Sequence, residues 1–323
     1  MNEGRPLLSV VAPFYFSTLT IAEFYKRLKA VMVSLGSELD HELVFVNDGS
    51  TDETLTMLRD LAARDPHVRV VDLSRNFGHQ IAITAGIDRA RGDAVVVIDD
   101  DLQDPPEVIA GMVAKWREGC KVVYGVRTER KGESAFKIHT AKLFYRLLGR
   151  MSETKIPLDT GDFRLMDRQV VDALKAMREE SRYVRGMVAW IGFKQCALPY
   201  ERDVRFAGDT HYPLRRMLDL ALNGVLSFSS KPLELSTRFG LLVTLLSFLA
   251  AVWVLVGKYL HPDLVVAGWA SVLLAVLFMG GVQLVSIGVL GSYLGRVFYE
   301  TKRRPLYFVA ERISAAPEGD TGK

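Results

Sequence analysis

The stretch that most constrains the fold is residues 95–107, VVVIDDDLQDPPE, in which an apolar run from Val95 to Ile98 meets three aspartates with no transition. A strand that is apolar at every position must be covered on both faces, which is the condition of a parallel strand inside an α/β sheet. Its carboxyl end then carries three adjacent carboxylates, which repel one another unless a cation sits among them. Hard oxygen donors suit Mg²⁺ or Mn²⁺, and Mg²⁺ is commonly held by one or two carboxylates plus substrate phosphates. Alternate side chains on a strand share a face. If the extended geometry persists, Asp99 and Asp101 point one way and Asp100 the other. The plainer alternative is a solvated acidic turn that closes a strand.

The preceding residues supply the rest of such a sheet. Residues 7–12 (LLSVVA), 42–46 and 68–73 read as strands. Between them, residues 21–35 place Phe24, Leu28, Val31 and Leu35 on one helical face, and a second helix carries Leu55, Leu58 and Leu61. Ser50 or Thr51 is the expected cap of that second helix. Asn76, Phe77 and Gly78 form a turn into a helix that runs to about Ala90. Strands alternating with helices imply a mostly parallel sheet with helices on both faces, and ligands of such sheets bind outside the carboxyl ends of the strands. Asp48, Arg75 and Asp99 to Asp101 all follow strand ends and should converge there. No G-x-G-x-x-G follows the first strand, and no G-x-x-x-x-G-K-[ST] occurs anywhere, which disfavours a dinucleotide Rossmann enzyme and a P-loop NTPase. A nucleotide held by carboxylates and a divalent metal remains.

Further along, a helix with Met112 and Trp116 is followed by a strand over 121–126 that leads to Arg127, and residues 136–148 read as a helix. In DTGDFRLMD, residues 159–167, Gly161 permits unusual backbone angles near a polar site. The simpler reading is a loop with caps for a helix from Arg168. The net charge of +3, without a Lys/Arg-rich tract, does not argue for nucleic acid. Cys120 and Cys196 lack metal-ligand spacing and are expected to be buried thiols in a reducing compartment. Residues 7–12 are too short for the apolar region of a signal peptide, and Pro13 follows directly.

Between Arg238 and Lys258 lie 19 uncharged residues, and between Asp263 and Arg296 lie 32. About 20 suffice to cross a hydrocarbon core, so the two form a transmembrane hairpin around the short KYLHPD loop. Lys231, Arg238, Arg296, Lys302, Arg303 and Arg304 flank one side of it, while the loop holds only Lys258 and His261. The positive-inside rule then puts both termini in the cytoplasm. Leu214, Met217, Leu218, Ala221, Leu222 and Val225 fall at helical spacing, which suits either a helix in the membrane interface or one packed on the soluble domain. A nucleotide-type site held against a bilayer points to a lipid as second substrate.

Five blocks carry a family resemblance: VNDGSTDET (46–54), LSRNFGHQIAITAGID (73–88), IDDDLQDPPE (98–107), TGDFRLMDR (160–168) and GGVQLVSIGVLGSYLGRVFYETKRRPLY (280–307). The chain resembles family 2 glycosyltransferases of the GT-A fold, and within them the polyprenyl-phosphate glycosyltransferases, that is, bactoprenol glucosyltransferases and dolichol-phosphate mannose synthases. The resemblance implies a cytoplasmic GT-A catalytic domain over 1–210, an interfacial helix over 211–232, two transmembrane helices over 233–295 and a cytoplasmic tail over 296–323. It implies inverting transfer of one sugar from a nucleotide sugar, UDP-glucose foremost, to undecaprenyl phosphate in the inner membrane, for O-antigen-type glycan modification. GDP-mannose or a modified UDP-sugar is the alternative donor. It also implies a homotetramer and a separate flippase for the product.

The same resemblance assigns residues. Pro13, Tyr15, Asp48, Arg75, Asp99 and Asp100 fall to the nucleotide sugar; Asp99 and Asp101 are the DxD pair, with Gln103 completing a Mg²⁺ or Mn²⁺ site. Arg127, Lys137, Arg205 and His211 fall to the acceptor phosphate, and Asp162 matches the aspartate usually proposed as base, beside Asp101 and Arg127 as catalytic groups. Two positions depart from the pattern. The family's Pro-x-Tyr-Asn-Glu-Glu is here Pro13-Phe14-Tyr15-Phe16-Ser17-Thr18, and His211 replaces a lysine, so phosphate binding there depends on pH. A phosphomonoester is mostly dianionic at pH 7 and scarcely needs deprotonation, so Asp162 is expected to position the acceptor or shield the reacting centre rather than act as a strong base. A processive polysaccharide synthase would carry Q-x-x-R-W, which is absent. An inactive nucleotide-sugar-binding scaffold is the reading from another class, prompted by Phe16-Ser17-Thr18.

Overall fold

The computed structural model describes residues 4–128, 160–203, 231–260 and 268–315. These fall into two compact units, one holding 4–128, 160–203 and 304–315, the other 231–260 and 268–303.

The first unit is built on eight strands: β1 (Leu7–Phe14), β2 (Asp40–Asn47), β3 (Val68–Leu73), β4 (Ala94–Val97), β5 (Val122–Arg127), β6 (Thr160–Asp167), β7 (Gln195–Tyr200) and β8 (Val309–Ser314). They form one sheet in the order β7-β5-β6-β4-β1-β2-β3-β8. β1 pairs in parallel with β2 and β4, β2 with β3, and β5 with β7. β6 runs antiparallel between β4 and β5, and β8 antiparallel to β3. The helices of this unit are α1 (Ile21–Leu35), α2 (Thr54–Arg64), α3 (His79–Arg89), α4 (Val108–Arg117), α5 (Arg168–Ala176) and α6 (Val184–Ile191).

The period of two along the strands divides the core between the faces. Leu8, Val10, Ala12 and Phe14 of β1 join Leu43 and Phe45 of β2 and Val96 of β4 in one cluster with Phe24 and Leu28 of α1 and Ile109 and Met112 of α4. Phe14 meets Phe24 and Phe45 edge-on, at 5.7 and 5.1 Å between centroids. Fully burying one such ring contributes about 2 kcal/mol, and Phe45→Ala would cost about 4 kcal/mol through the cavity it leaves. On the other face Gly86 of α3 lies against Val11 and Val46. The unit is therefore a Rossmann-like, mostly parallel sheet with helices on both faces.

Four local expectations are corrected. Residues 160–167 are a strand rather than a loop, because β6 inserts between β4 and β5; Asp167 at its end does cap α5, accepting from the Gln169 N–H at 3.1 Å. The start of α2 is held by Asp52, which accepts from the Thr54 N–H, and not by Ser50 or Thr51. Cys120 and Cys196 are a disulfide and not two thiols. Parallel pairing of β5 with β7 sets Val123 opposite Cys196 and brings the two Cα atoms to 6.0 Å, a proximity hidden by 76 residues of sequence. Residues 309–314, grouped with a tail by sequence, add β8 to the sheet.

The second unit consists of α7 (Lys231–Leu260) and α8 (Trp269–Lys302). At 1.5 Å per residue they are about 45 and 51 Å long. The stretches Leu233–Ala250 and Phe278–Lys302 are long and apolar enough to cross a membrane. Their apolar side chains, such as Leu241, Leu246, Val285 and Ile287, are exposed, unlike those of a soluble core helix. The hydroxyls of Thr237, Thr244, Ser286 and Ser292 donate to carbonyls four residues back, which satisfies polar groups within the helix, as an apolar solvent requires. Ser236 of α7 donates to Ser286 of α8 at 3.0 Å.

Candidate active site

The site assembles at the carboxyl ends of β1, β2, β3 and β4. Asp48, directly after β2, is buried and accepts from the backbone N–H groups of Phe77 at 2.8 Å and Gly78 at 3.0 Å. Burial raises its pKa more than these hydrogen bonds and His79 and Arg75 lower it. Asp48 thus pins the turn into α3 and fixes where that helix starts. Gly49 is required beside it: its φ is +67°, and a Cβ would lie 2.3 Å from the carbonyl carbon of Arg75. Arg75 lies over the Phe77 ring at 3.9 Å and donates to the Asn76 carbonyl. Pro13 is buried in register with Val46. Tyr15 and Phe16 are half exposed, their rings edge-on at 4.5 Å, and Phe16 is held at φ +53° with its N–H donated to the Ser50 hydroxyl.

The three aspartates do not continue β4. The strand ends at Val97, the chain turns, and Leu102 takes φ +59°. The alternation expected of an extended chain is replaced by a tighter arrangement. Asp99 Oδ1 lies 3.3 Å from His79 Nε2, Asp100 accepts from the Thr20 hydroxyl at 2.9 Å, and Asp101 accepts from the Gln103 N–H at 3.0 Å. Burial, reinforced by the carboxylates of Asp162, Asp104 and Asp101 against the pull of His79, pushes Asp99 up to about 7. Burial likewise pushes Asp100 up to about 6.

Among the described residues no three His, Cys, Asp or Glu side chains form a closed metal cage. Asp99 Oδ1, however, is buried with no hydrogen-bond partner among the described residues. A buried carboxylate oxygen left in that state is costly unless a cation or donor meets it. One or two carboxylates and an open remainder fit Mg²⁺ or Mn²⁺ sharing its coordination with phosphates. Gln103 accepts from Arg202 at 2.6 Å through its side-chain oxygen and from the Asp203 N–H through its backbone carbonyl.

Asp162, the third residue of β6, is buried and heavily hydrogen-bonded. It accepts from Arg185 Nε at 2.9 Å and Nη2 at 3.2 Å and from Gln80 Nε2 at 2.9 Å, and His79 Nε2 lies 3.4 Å away. Burial alone would raise its pKa, but the His79 hydrogen bond and the Arg185 charge overrule this and hold it far below the carboxylate range. His79, between two carboxylates, is pushed up to about 9 despite burial, which acts downward.

A second network adjoins the first. Buried Asp104 accepts from the Tyr200 hydroxyl and pairs with Arg127 Nη2 at 3.6 Å and Arg202 Nε at 3.8 Å. Arg127 passes over Gly161, where a Cβ would lie 2.9 Å from its Nη2. This close approach accounts for Gly161, whose backbone is not in the left-handed region. Arg127 thus packs against β6 at Gly161, the residue before Asp162. Lys137, Arg205 and His211 lie outside the described residues.

Sequence reasoning missed five residues of this site: His79, Gln80, Asp104, Arg185 and Tyr200. The first three sit inside the blocks LSRNFGHQ and LQDPPE and could have been found there. Arg185 and Tyr200 reach the site only through the packing of α6 and β7, which no local pattern announces.

Comparison with known proteins agrees with this geometry. Residues 9–175 match the family model Glycosyl transferase family 2. The chain is 52% identical over 301 residues to the uncharacterised glycosyltransferase YkcC of Bacillus subtilis (strain 168), covering 93% of this chain and 92% of the relative. It is 40% identical over 302 residues to the prophage bactoprenol glucosyl transferase homolog of Escherichia coli (strain K12), covering 94% and 98%. It is also 40% identical over 305 residues to the bactoprenol glucosyl transferase of Shigella phage SfX, covering 94% and 99%.

Proposed function

The chain belongs to glycosyl transferase family 2, and from that premise we propose that it transfers one sugar from a nucleotide sugar to a polyprenyl phosphate at a membrane. The observation that carries this reading is the extent of the match to bactoprenol glucosyl transferases: 94% of this chain aligns, which takes in both the sheet and the two apolar helices. UDP-glucose is the proposed donor, undecaprenyl phosphate the acceptor. The site unit and both termini face the cytoplasm, the helix pair spans the inner membrane, four copies assemble, and a separate flippase carries the product across.

The reaction is a displacement at the anomeric carbon with inversion, the lipid phosphate oxygen attacking and the nucleoside diphosphate leaving. Asp99 and Asp101 are the residues that would hold a divalent ion, which when bound supplies charge neutralisation to the leaving diphosphate. Arg127, aimed by Asp104 and Tyr200, meets a phosphate and offsets repulsion between the two phosphorylated substrates. The acceptor is a phosphomonoester with a second pKa near ~6, so it arrives ready to attack. Asp162 accepts from Arg185 and Gln80 and is held far below the carboxylate range, which makes it a poor proton acceptor.

Transfer from a panel of radiolabelled nucleotide sugars to undecaprenyl phosphate, with Mg²⁺ or Mn²⁺ and an EDTA control, tests the reading. One labelled monosaccharyl lipid, formed only with metal, is the expected result. Polymer formation, or no product from any donor while nucleotide still binds, would overturn it.

A further inference from the structure

We propose that Arg185 is a phosphate-binding residue of this site and that Asp162 is the positioning residue that aims it. The inference rests on the glycosyl-transfer reading and assigns a role to a residue no sequence motif singled out.

The geometry is a closed ring. Arg185 presents Nε and Nη2 side by side to the two oxygens of Asp162, a bidentate fork that fixes the guanidinium plane. Gln80 donates to Asp162 Oδ2, and its own carbonyl oxygen accepts from the N–H of Val184 at 2.9 Å. Val184 begins α6, so one glutamine ties Asp162 to the helix end that carries Arg185. His79 Nε2 approaches the same carboxylate. Three of these donors converge on Oδ2 and one, Arg185 Nε, on Oδ1. A carboxylate held by several donors is fixed in place and orients its neighbours.

Arg185 is the outward member of the pair. Its side chain is 30% exposed, against 4% for Asp162. It also stands close to the aspartate site. Asp99 Oδ1 and Asp162 Oδ2 lie 3.3 and 3.4 Å from the same His79 nitrogen. The two carboxylates that flank His79 are thus close neighbours, and Arg185 pairs with one of them. Arg164, buried, donates to the Gly161 carbonyl and so braces the start of β6, which carries Asp162. A planar, aimed, partly exposed guanidinium beside a cation-seeking carboxylate is the chemistry that takes a phosphate oxygen. That phosphate comes either from the donor's diphosphate or from the acceptor's phosphomonoester.

The test uses the full chain in detergent with Mn²⁺. Arg185→Ala, Arg185→Lys, Asp162→Asn and the Arg185→Ala/Asp162→Asn double variant are compared by titration with nucleoside diphosphate, titration with undecaprenyl phosphate, and steady-state kinetics. Arg185→Ala should lose about tenfold to a hundredfold in kcat/KM and recover part of it when millimolar guanidinium is added. A residue that only holds the fold would show no such rescue. Arg185→Lys, which keeps the charge and spares the fold, should lose activity without rescue. Asp162→Asn should lose less, and the double variant should be no worse than Arg185→Ala. Weakened nucleoside diphosphate binding assigns the contact to the donor; a loss confined to undecaprenyl phosphate assigns it to the acceptor. Unchanged affinities and turnover in Arg185→Ala overturn the inference, as does abolition of turnover by Asp162→Asn when Arg185→Ala retains it. If the wild type transfers nothing, the glycosyl-transfer reading fails on its own, and the two titrations decide the fate of Arg185.

Discussion

The two ends of the sheet differ at particular carboxylates: the carboxyl end holds well-partnered Asp48, Asp104 and Asp162 beside Asp99, whose Oδ1 has no hydrogen bond among the described residues. At the amino ends of the strands every buried carboxylate is paid in full. Glu42 accepts from the Ser9 hydroxyl, the Arg91 N–H and side chain, and Arg69. Asp65 accepts from Lys29, Tyr25 and the His67 N–H, with His67 Nδ1 at 2.8 Å. Both are held below the usual carboxylate range by these partners, against burial. At the carboxyl ends Asp99 and Asp100 are raised, Asp99 Oδ1 lacks a hydrogen-bond partner among the described residues, and two bulky residues, Phe16 and Leu102, sit at positive φ. An incompletely hydrogen-bonded buried carboxylate and backbone strain of this kind cluster at functional sites. One end of the sheet is finished by the chain itself; on the proposed function the other is finished by substrate.

The contrast can be sharpened by substitution. Asp101→Ala should reduce turnover by about a thousandfold while leaving the melting temperature near that of the wild type, read by initial rates and thermal unfolding. Wild-type turnover would remove Asp101 from the metal site. At the opposite end Glu42→Ala should do the reverse. It strands Arg69 without its buried partner and should cost about 3 kcal/mol of stability, with KM values unchanged; a stability loss below measurement would mean that the amino end is not what holds the sheet.

A smaller effect separates the ends by pH. His41 stacks on His67 at 4.3 Å and is pushed down to about 4 by burial first, then by the charges of His67 and Lys29, with Asp65 and Asp40 acting upward. The folded pKa lies below the unfolded one, so the unfolded chain takes the proton first. Stability should therefore decline as pH falls from about 6.5 toward about 4. His41→Gln should flatten that part of a melting-temperature profile, and an unchanged slope would place the acid sensitivity elsewhere.

Much of this was legible from residues alone. The all-apolar strands gave away a sheet covered on both faces, and residues 21–35 and 68–73 carry the expected bounds of α1 and β3. The acidic end of β4 was legible as a candidate cation site, because three adjacent carboxylates repel one another unless something cationic meets them. Its geometry was not, since the period of two holds only while the strand continues, and β4 stops at Val97. β8 escaped notice because VAERIS alternates weakly and lies beyond two apolar helices, so only its pairing with β3 reveals it. The Cys120–Cys196 bond and the approach of Arg185 to Asp162 depend on strand order and helix packing across long separations, and neither leaves a local trace.

The most direct measurement is thermal unfolding of the wild type and of Asp99→Asn, each alone and with Mn²⁺ plus nucleoside diphosphate. If the carboxyl end is reserved for a cation and phosphates, Asp99→Asn alone melts near the wild-type temperature, because Oδ1 gives up no hydrogen bond and only its His79 ion pair. The ligands then raise the wild type by several degrees through mass action, as binding to the folded state must, and leave the variant nearly unmoved. If Asp99→Asn instead melts well below the wild type, or the ligands stabilise both proteins equally, Asp99 is a structural carboxylate like Glu42, and the difference drawn between the two ends of the sheet is wrong.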